Sequence, residues 1–160
     1  MKTLFKTILS SLLLVLAIAS CGPAKIPTGP AGPPRAQFAG NWTLTGVSFS
    51  NVKEEEVPKA FDAGAPKNFA NSAWVLNNDG SGYYTLANGT KQNIYWAVNS
   101  GDALGAMFAF TNVPEGQKPT DKQTGYQLVI SSITPASLVL KSLVYTGNKN
   151  GYVVYTFAKQ

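Results

Sequence analysis

The chain has no histidine, a single cysteine, and charge on only 13% of its 160 residues. Without imidazole, Ser-His-Asp and Cys-His catalysis and every histidine-based metal site are excluded. With Cys21 alone, no intrachain disulfide can form. Acidic residues are scarce too, eight in all, so paired carboxylates for glycoside hydrolysis have few places to arise. The formal charge of +5 falls to about +3 if the segment holding Lys2 and Lys6 is removed, and the other lysines are scattered. No basic stripe marks a nucleic-acid surface. What is present is apolar: hydrophobic residues make up 44%, enough for a compact core rather than a disordered polyelectrolyte. The length suits one folded domain.

The amino terminus, "MKTLFKTILSSLLLVLAIASC", has lysines, then an apolar stretch from Thr7 to Ala19, then small residues. At roughly 13 residues the stretch is too short to cross a bilayer core, which needs about 20, and its layout is that of an export signal. Its end, Ile18-Ala19-Ser20-Cys21, resembles the bacterial lipobox. The resemblance implies cleavage before Cys21 and attachment of acyl chains such as palmitate there, and two or more chains anchor stably where one does not. Residues 1–20 are then a lipoprotein signal peptide. Residues 21–39 carry Pro23, Pro27, Pro30, Pro33 and Pro34. Such a segment tends to extended polyproline II, and the eighteen residues from Gly22 to Ala39 at ~3.1 Å each reach on the order of 50 Å. It reads as a tether from membrane to domain, the alternative being a segment packed on the domain surface.

Residues 40–160 form the domain. Eight β-rich runs follow one another: 41–49, 72–77, 82–87, 92–98, 104–111, 125–133, 137–145 and 151–158. Clusters rich in Asn and Gly separate most of them, at 77–80, 88–89, 99–102 and 147–151, and supply the positive φ that hairpin turns require. No later gap is long enough for a crossover helix, so neighbours pair antiparallel. Eight such strands leave no raw edge only by closing into an up-and-down barrel. Alternation points Trp74, Leu76, Tyr84, Leu86, Ile94, Trp96, Val98, Phe108, Phe110, Tyr126, Leu128, Ile130, Leu138, Leu140, Tyr155 and Phe157 inward. Lys141 falls on the opposite face from Leu138 and Leu140. The connection 50–71 is long and charged and contains Pro58 and Pro66. It predicts a turn or two of helix around Glu54 to Phe61, and it reads either as a lid or as a solvated loop over the rim.

Gly40-Asn41-Trp42 opens the first strand and is similar to the glycine-x-tryptophan signature of lipocalins. "FANSAWVLNNDGSGYYTLANG", "NIYWAV", "TGYQLVISSI" and "YVVYTFAKQ" together resemble the small lipocalin-like lipoproteins of bacteria, in the calycin superfamily, across about three quarters of the chain. The resemblance implies a barrel closed at one end by Trp42 and open at the other to a cavity. It also implies a basic side chain stacked on that tryptophan, for which Lys159, on the face of Tyr155 and Phe157, is the candidate. The C-terminal helix of lipocalins has no counterpart in the residues up to Gln160.

On this reading all the acidic residues fall in loops or turns. Glu54, Glu55 and Glu56 are adjacent on one segment and do not converge on a cation. The expectation is therefore a protein that is not an enzyme, with no cofactor and no metal. The candidate ligand pocket is Trp74, Tyr84, Trp96, Phe108, Phe110, Tyr126 and Tyr155, suited to a small, mostly apolar molecule held non-covalently. The alternative is an interior filled by those same rings, since an eight-stranded barrel is the size at which side chains either fill the lumen or leave room for one small ligand. Such a barrel would be a scaffold docking an envelope protein as an accessory or inhibitor module. The expected location is the bacterial envelope, and Gly22, not aspartate, follows the anchor, which points to the outer membrane.

Overall fold

The structure, a computed structural model, describes residues 32–102, 105–118, 125–147 and 149–160. Cys21, the signal segment and most of the tether lie outside the described residues.

Eight strands follow in order: β1 (Gly40–Ser50), β2 (Ala73–Leu76), β3 (Ser81–Thr85), β4 (Lys91–Asp102), β5 (Gly105–Val113), β6 (Tyr126–Ile133), β7 (Ser137–Thr146) and β8 (Lys149–Lys159). Each pairs antiparallel with the next, and β8 pairs antiparallel with β1 from Trp42↔Lys159 to Ser50↔Tyr152. The ring is closed, an all-β up-and-down barrel with no free edge strand among the described residues. Between Leu44 and Gly46 the β1–β8 register shifts. This irregularity lets Trp42 and Leu44 on one side of it, and Val47 and Phe49 on the other, all reach the core.

The inward side chains follow the alternation of the sequence. Trp74, Leu76, Tyr84, Leu86, Ile94, Trp96, Phe108, Phe110, Leu128, Leu138, Leu140, Tyr155 and Phe157 are buried in one cluster, with Val98, Tyr126 and Ile130 packed against it. Lys141 pairs with Val129 and Val154 and is half-buried on the outer face.

Three sequence expectations change. Asn99 to Asp102 do not form a turn: β4 runs through them, and pairing resumes at Asp102↔Gly105 after an irregularity. Turn-forming residues are here absorbed into the ladder, so Asp102 belongs to a strand. The connection after β1 holds only one 3₁₀ turn at Glu54–Glu56, with a second at Pro66–Phe69, in place of a helix running from Glu54 to Phe61. Pro58 is the cause: it pushes the preceding residue away from helical backbone, and Val57 sits at φ −124° and ψ 74°. Finally, residues 35–39, assigned to the tether, carry a 3₁₀ turn at Arg35–Gln37 and a fully buried Phe38. The chain packs against the barrel before β1 begins.

Candidate functional site

The closed end is built around Trp42, 1% exposed. Its indole Nε1 donates to the Phe38 carbonyl oxygen at 2.7 Å, so the residues just before β1 cap the tryptophan's polar tip. Lys159 Nζ lies 5.0 Å from the ring centroid, within the range of a cation–π contact. Gly40 makes that approach possible. Its φ is +132°, a conformation that side-chain-bearing residues rarely adopt, and a Cβ there would lie 2.9 Å from Lys159 Cε. Alongside, Phe38 stacks on Phe108 at 6.0 Å. Arg35 places its guanidinium 4.7 Å from the Trp96 ring and donates to the Trp96 carbonyl oxygen at 2.6 Å. Arg35 and Phe38 are the functional-end residues that sequence reasoning missed. Phe38 is the one bulky apolar side chain between Ile26 and Trp42, and that was the available signal.

Inside, the rings touch in a continuous series. Trp74 stacks on Tyr84 at 4.8 Å and meets Phe110 and Phe157 edge-on at 5.5 and 5.6 Å. Trp96 stacks on Phe108 at 5.8 Å. The residual internal space is about 10 Å³, room for no more than one water. Of the sequence-predicted pocket residues, Trp74, Phe108, Phe110 and Tyr155 border this space, whereas Tyr84, Trp96 and Tyr126 do not. Trp96 is instead bound into the closed end, with Nε1 donating to the Ser81 carbonyl oxygen at 3.1 Å. Tyr126 stands at the opposite rim.

The segment from Asn51 to Ser72 roofs the open end. Val52, Val57, Phe61, Pro66 and Phe69 are all buried, so this is a packed cover, not a solvated loop. Phe61 is its centre. The ring is 6% exposed and lies 5.0 to 5.4 Å from Phe69, Phe110, Tyr126 and Tyr155, and it borders the internal space together with Trp42 and Trp74. Phe61 and Asp62 both have left-handed backbone, φ 49° and 58°, which costs a side-chain-bearing residue about 1–2 kcal/mol. Four contacts hold them there. Ala60 N–H donates to the Gly64 carbonyl at 2.7 Å. Asn112 Nδ2 donates to the Phe61 carbonyl at 3.1 Å. The Tyr126 hydroxyl donates to Asp62 Oδ2 at 2.7 Å, with Lys59 Nζ 2.9 Å from the other carboxylate oxygen. The Tyr126 hydrogen bond, then Lys59, holds the Asp62 carboxyl below its ordinary range. Burial, then the Asp62 contact, raises the Tyr126 hydroxyl. Burial alone raises Tyr155, and burial with a smaller effect of the Asp62 charge pushes Tyr84 up to about 12. These phenols are therefore neutral at ordinary pH and can act only as hydrogen-bonding groups.

Beside the roof the wall parts. The β6–β7 ladder ends toward the rim at Val129↔Lys141. Beyond that point β6 continues with β5 to Phe110↔Tyr126, and β7 continues with β8 to Thr146↔Lys149. Between them opens a slot of about 520 Å³, bordered by residues 56–62, Gln127, Ser142, Val144, Tyr145 and Tyr155. Tyr155 borders both slot and interior. It is 1% exposed, and among the described residues its hydroxyl has no hydrogen-bond partner.

Among the described residues no three Cys, Asp or Glu side chains gather as a metal site, and no helix is long and apolar enough to cross a membrane. No protein-family model and no curated protein matches the chain. Solved structures with a similar outline include the odorant-binding protein from bovine nasal mucosa, 14% identical, with a TM-score of 0.38 over 82% of this chain and 77% of that one. The complex of bovine odorant-binding protein with a selenium-containing odorant is similar at the same identity and TM-score, over 84% of this chain and 78% of the other. The barrel itself stands on its own strand pairing, an eight-stranded antiparallel ring.

Proposed function

We propose that this protein is a non-catalytic binding protein of the bacterial envelope, held at the outer membrane by acyl chains on Cys21. Its barrel takes up a small, mostly apolar molecule in exchange for the ring of Phe61. One observation carries the reading: the lumen is filled, at its open end, by a side chain from outside the barrel wall. Phe61 sits on a covering segment, in strained backbone, pinned by a few polar contacts at the surface. A wall residue could leave the lumen only by unfolding the barrel, whereas a residue on a cover can leave by a local opening. Strained backbone at such a place is a common accompaniment of lids.

Two measurements test this. Mass spectrometry of an organic extract of the purified full chain should find a stoichiometric apolar compound. Titration with N-phenyl-1-naphthylamine, an uncharged fluorescent probe, should saturate at one site per chain. The absence of both an extractable compound and saturable probe binding would end the proposal.

A second reading, a filled scaffold that docks an envelope protein, draws on a different observation: an interior with about 10 Å³ to spare. It expects no uptake of any probe, and it expects truncation of Phe61 to lower stability without creating a binding site.

A further inference from the structure

The orphaned hydroxyl of Tyr155 and the slot beside it say what kind of molecule the barrel takes, given the ligand-binding reading above. In the closed state this hydroxyl is buried without a partner among the described residues. That costs about 1–3 kcal/mol relative to a satisfied group, so native proteins seldom keep such groups without a use. Phe61 lies 5.2 Å from the Tyr155 ring, centroid to centroid, and a ring carbon accepts no conventional hydrogen bond. A ligand in place of Phe61 could. The charges nearby narrow the choice. Glu56, Lys59 and Asp62 are the ionised groups bordering the slot. Lys59 is already paired with Asp62, and Glu56 Oε2 accepts from the Lys53 backbone N–H at 2.7 Å. Among the described residues that border the slot no unpaired cation is present, and burial alone shifts the Tyr155 hydroxyl. A carboxylate drawn in here would lose its hydration with no counter-charge, a large cost.

The slot supplies a path. Where β6 and β7 part, the wall between Gln127 and Ser142 has no ladder to break, and Tyr145, 71% exposed, offers an apolar landing at its outer lip. We infer that the ligand is an uncharged amphiphile, an apolar chain or ring bearing one acceptor oxygen such as an alcohol, ketone or ester. It enters sideways between β6 and β7, and its oxygen accepts the hydrogen bond of the Tyr155 hydroxyl.

The test is competition against N-phenyl-1-naphthylamine on the full chain, with dodecanol, dodecane and dodecanoate at a pH where the acid is ionised. Dodecanol should compete about 2- to 12-fold better than either of the others, the ratio expected of one buried hydrogen bond. In Tyr155→Phe, dodecanol should fall to the level of dodecane while dodecane is unchanged. Ser142→Trp, which narrows the slot, should slow probe association by about 10-fold with little change at equilibrium. Dodecanoate competing best overturns the inference without needing any variant, and so does a Tyr155→Phe protein that keeps the preference for alcohol. Unchanged association in Ser142→Trp overturns the lateral route. If neither the probe nor any competitor binds the wild-type chain, the ligand-binding reading falls and takes this one with it.

Discussion

Truncating Phe61 to alanine asks whether the covering segment occupies ligand space. The ring is almost wholly buried and touches four other aromatic rings at 5.0 to 5.4 Å. Phe→Ala in a sealed core costs about 3–5 kcal/mol. Here water can reach the vacated space through the adjoining slot, so the cost falls below that range, to about 2–3 kcal/mol. The left-handed backbone is unchanged by the substitution and its strain stays, so the loss falls almost entirely on the closed position of the segment. If a ligand binds only when Phe61 has withdrawn, its apparent Kd is the intrinsic value divided by the open fraction. Weakening the closed position by 2–3 kcal/mol then tightens apparent binding by about 30- to 150-fold. The assay is probe titration of both proteins, with urea unfolding followed by tryptophan fluorescence to confirm that the barrel remains folded. Equal or weaker binding by a folded Phe61→Ala protein refutes the exchange of ring for ligand, and the filled scaffold then becomes the better account.

At the closed end, Trp42→Phe leaves the Phe38 carbonyl without its indole partner and removes part of the cation–π contact with Lys159. Urea unfolding should show a loss of about 2–3 kcal/mol, and a cycle with Lys159→Met should give a coupling of roughly 0.5–1 kcal/mol; zero coupling would mean the stack is not formed in solution. The Asp62 carboxyl, being lowered in the closed form, strengthens closure above its ordinary value of 3.8, and that contribution disappears as pH falls through the lowered value. Probe affinity should therefore rise as the solution is acidified below that point. Asp62→Asn should bind with the same affinity on both sides of it, and a pH response that persists in Asp62→Asn would place the switch elsewhere. Cys21→Ala should move the chain from the membrane fraction to the soluble fraction on cell fractionation, and its retention in membranes would sink the anchoring proposal.

The barrel and the inward faces of its strands could be read ahead because local chemistry enforces them. A β-strand alternates faces at every residue, so placing Trp74, Tyr84 or Leu140 inward needed only the pattern around it, and Gly40 before Trp42 marked a backbone that must turn where a side chain would clash. The roof was less legible. Phe61 looked like one apolar residue in a charged loop, because its four ring neighbours come from distant elements and its left-handed φ leaves no mark in composition. Lys59 and Asp62, three apart, could be seen as a surface pair, but nothing in the sequence told that Asp62 also accepts from Tyr126, sixty-four residues away. The turn expected at 99–102 failed for a related reason: Asn and Gly permit a turn, but pairing with β5 decided that the strand runs on.

What the amino-acid sequence determined alone was the fold class: an all-β chain with no histidine and one cysteine, whose eight alternating runs satisfy their backbone by closing on each other. Whether the lumen is empty or full was decided by tertiary structure. That outcome depends on volumes contributed jointly by side chains far apart in the chain, and here it turned on one phenylalanine folded in from the cover and on the line along which β6 and β7 separate.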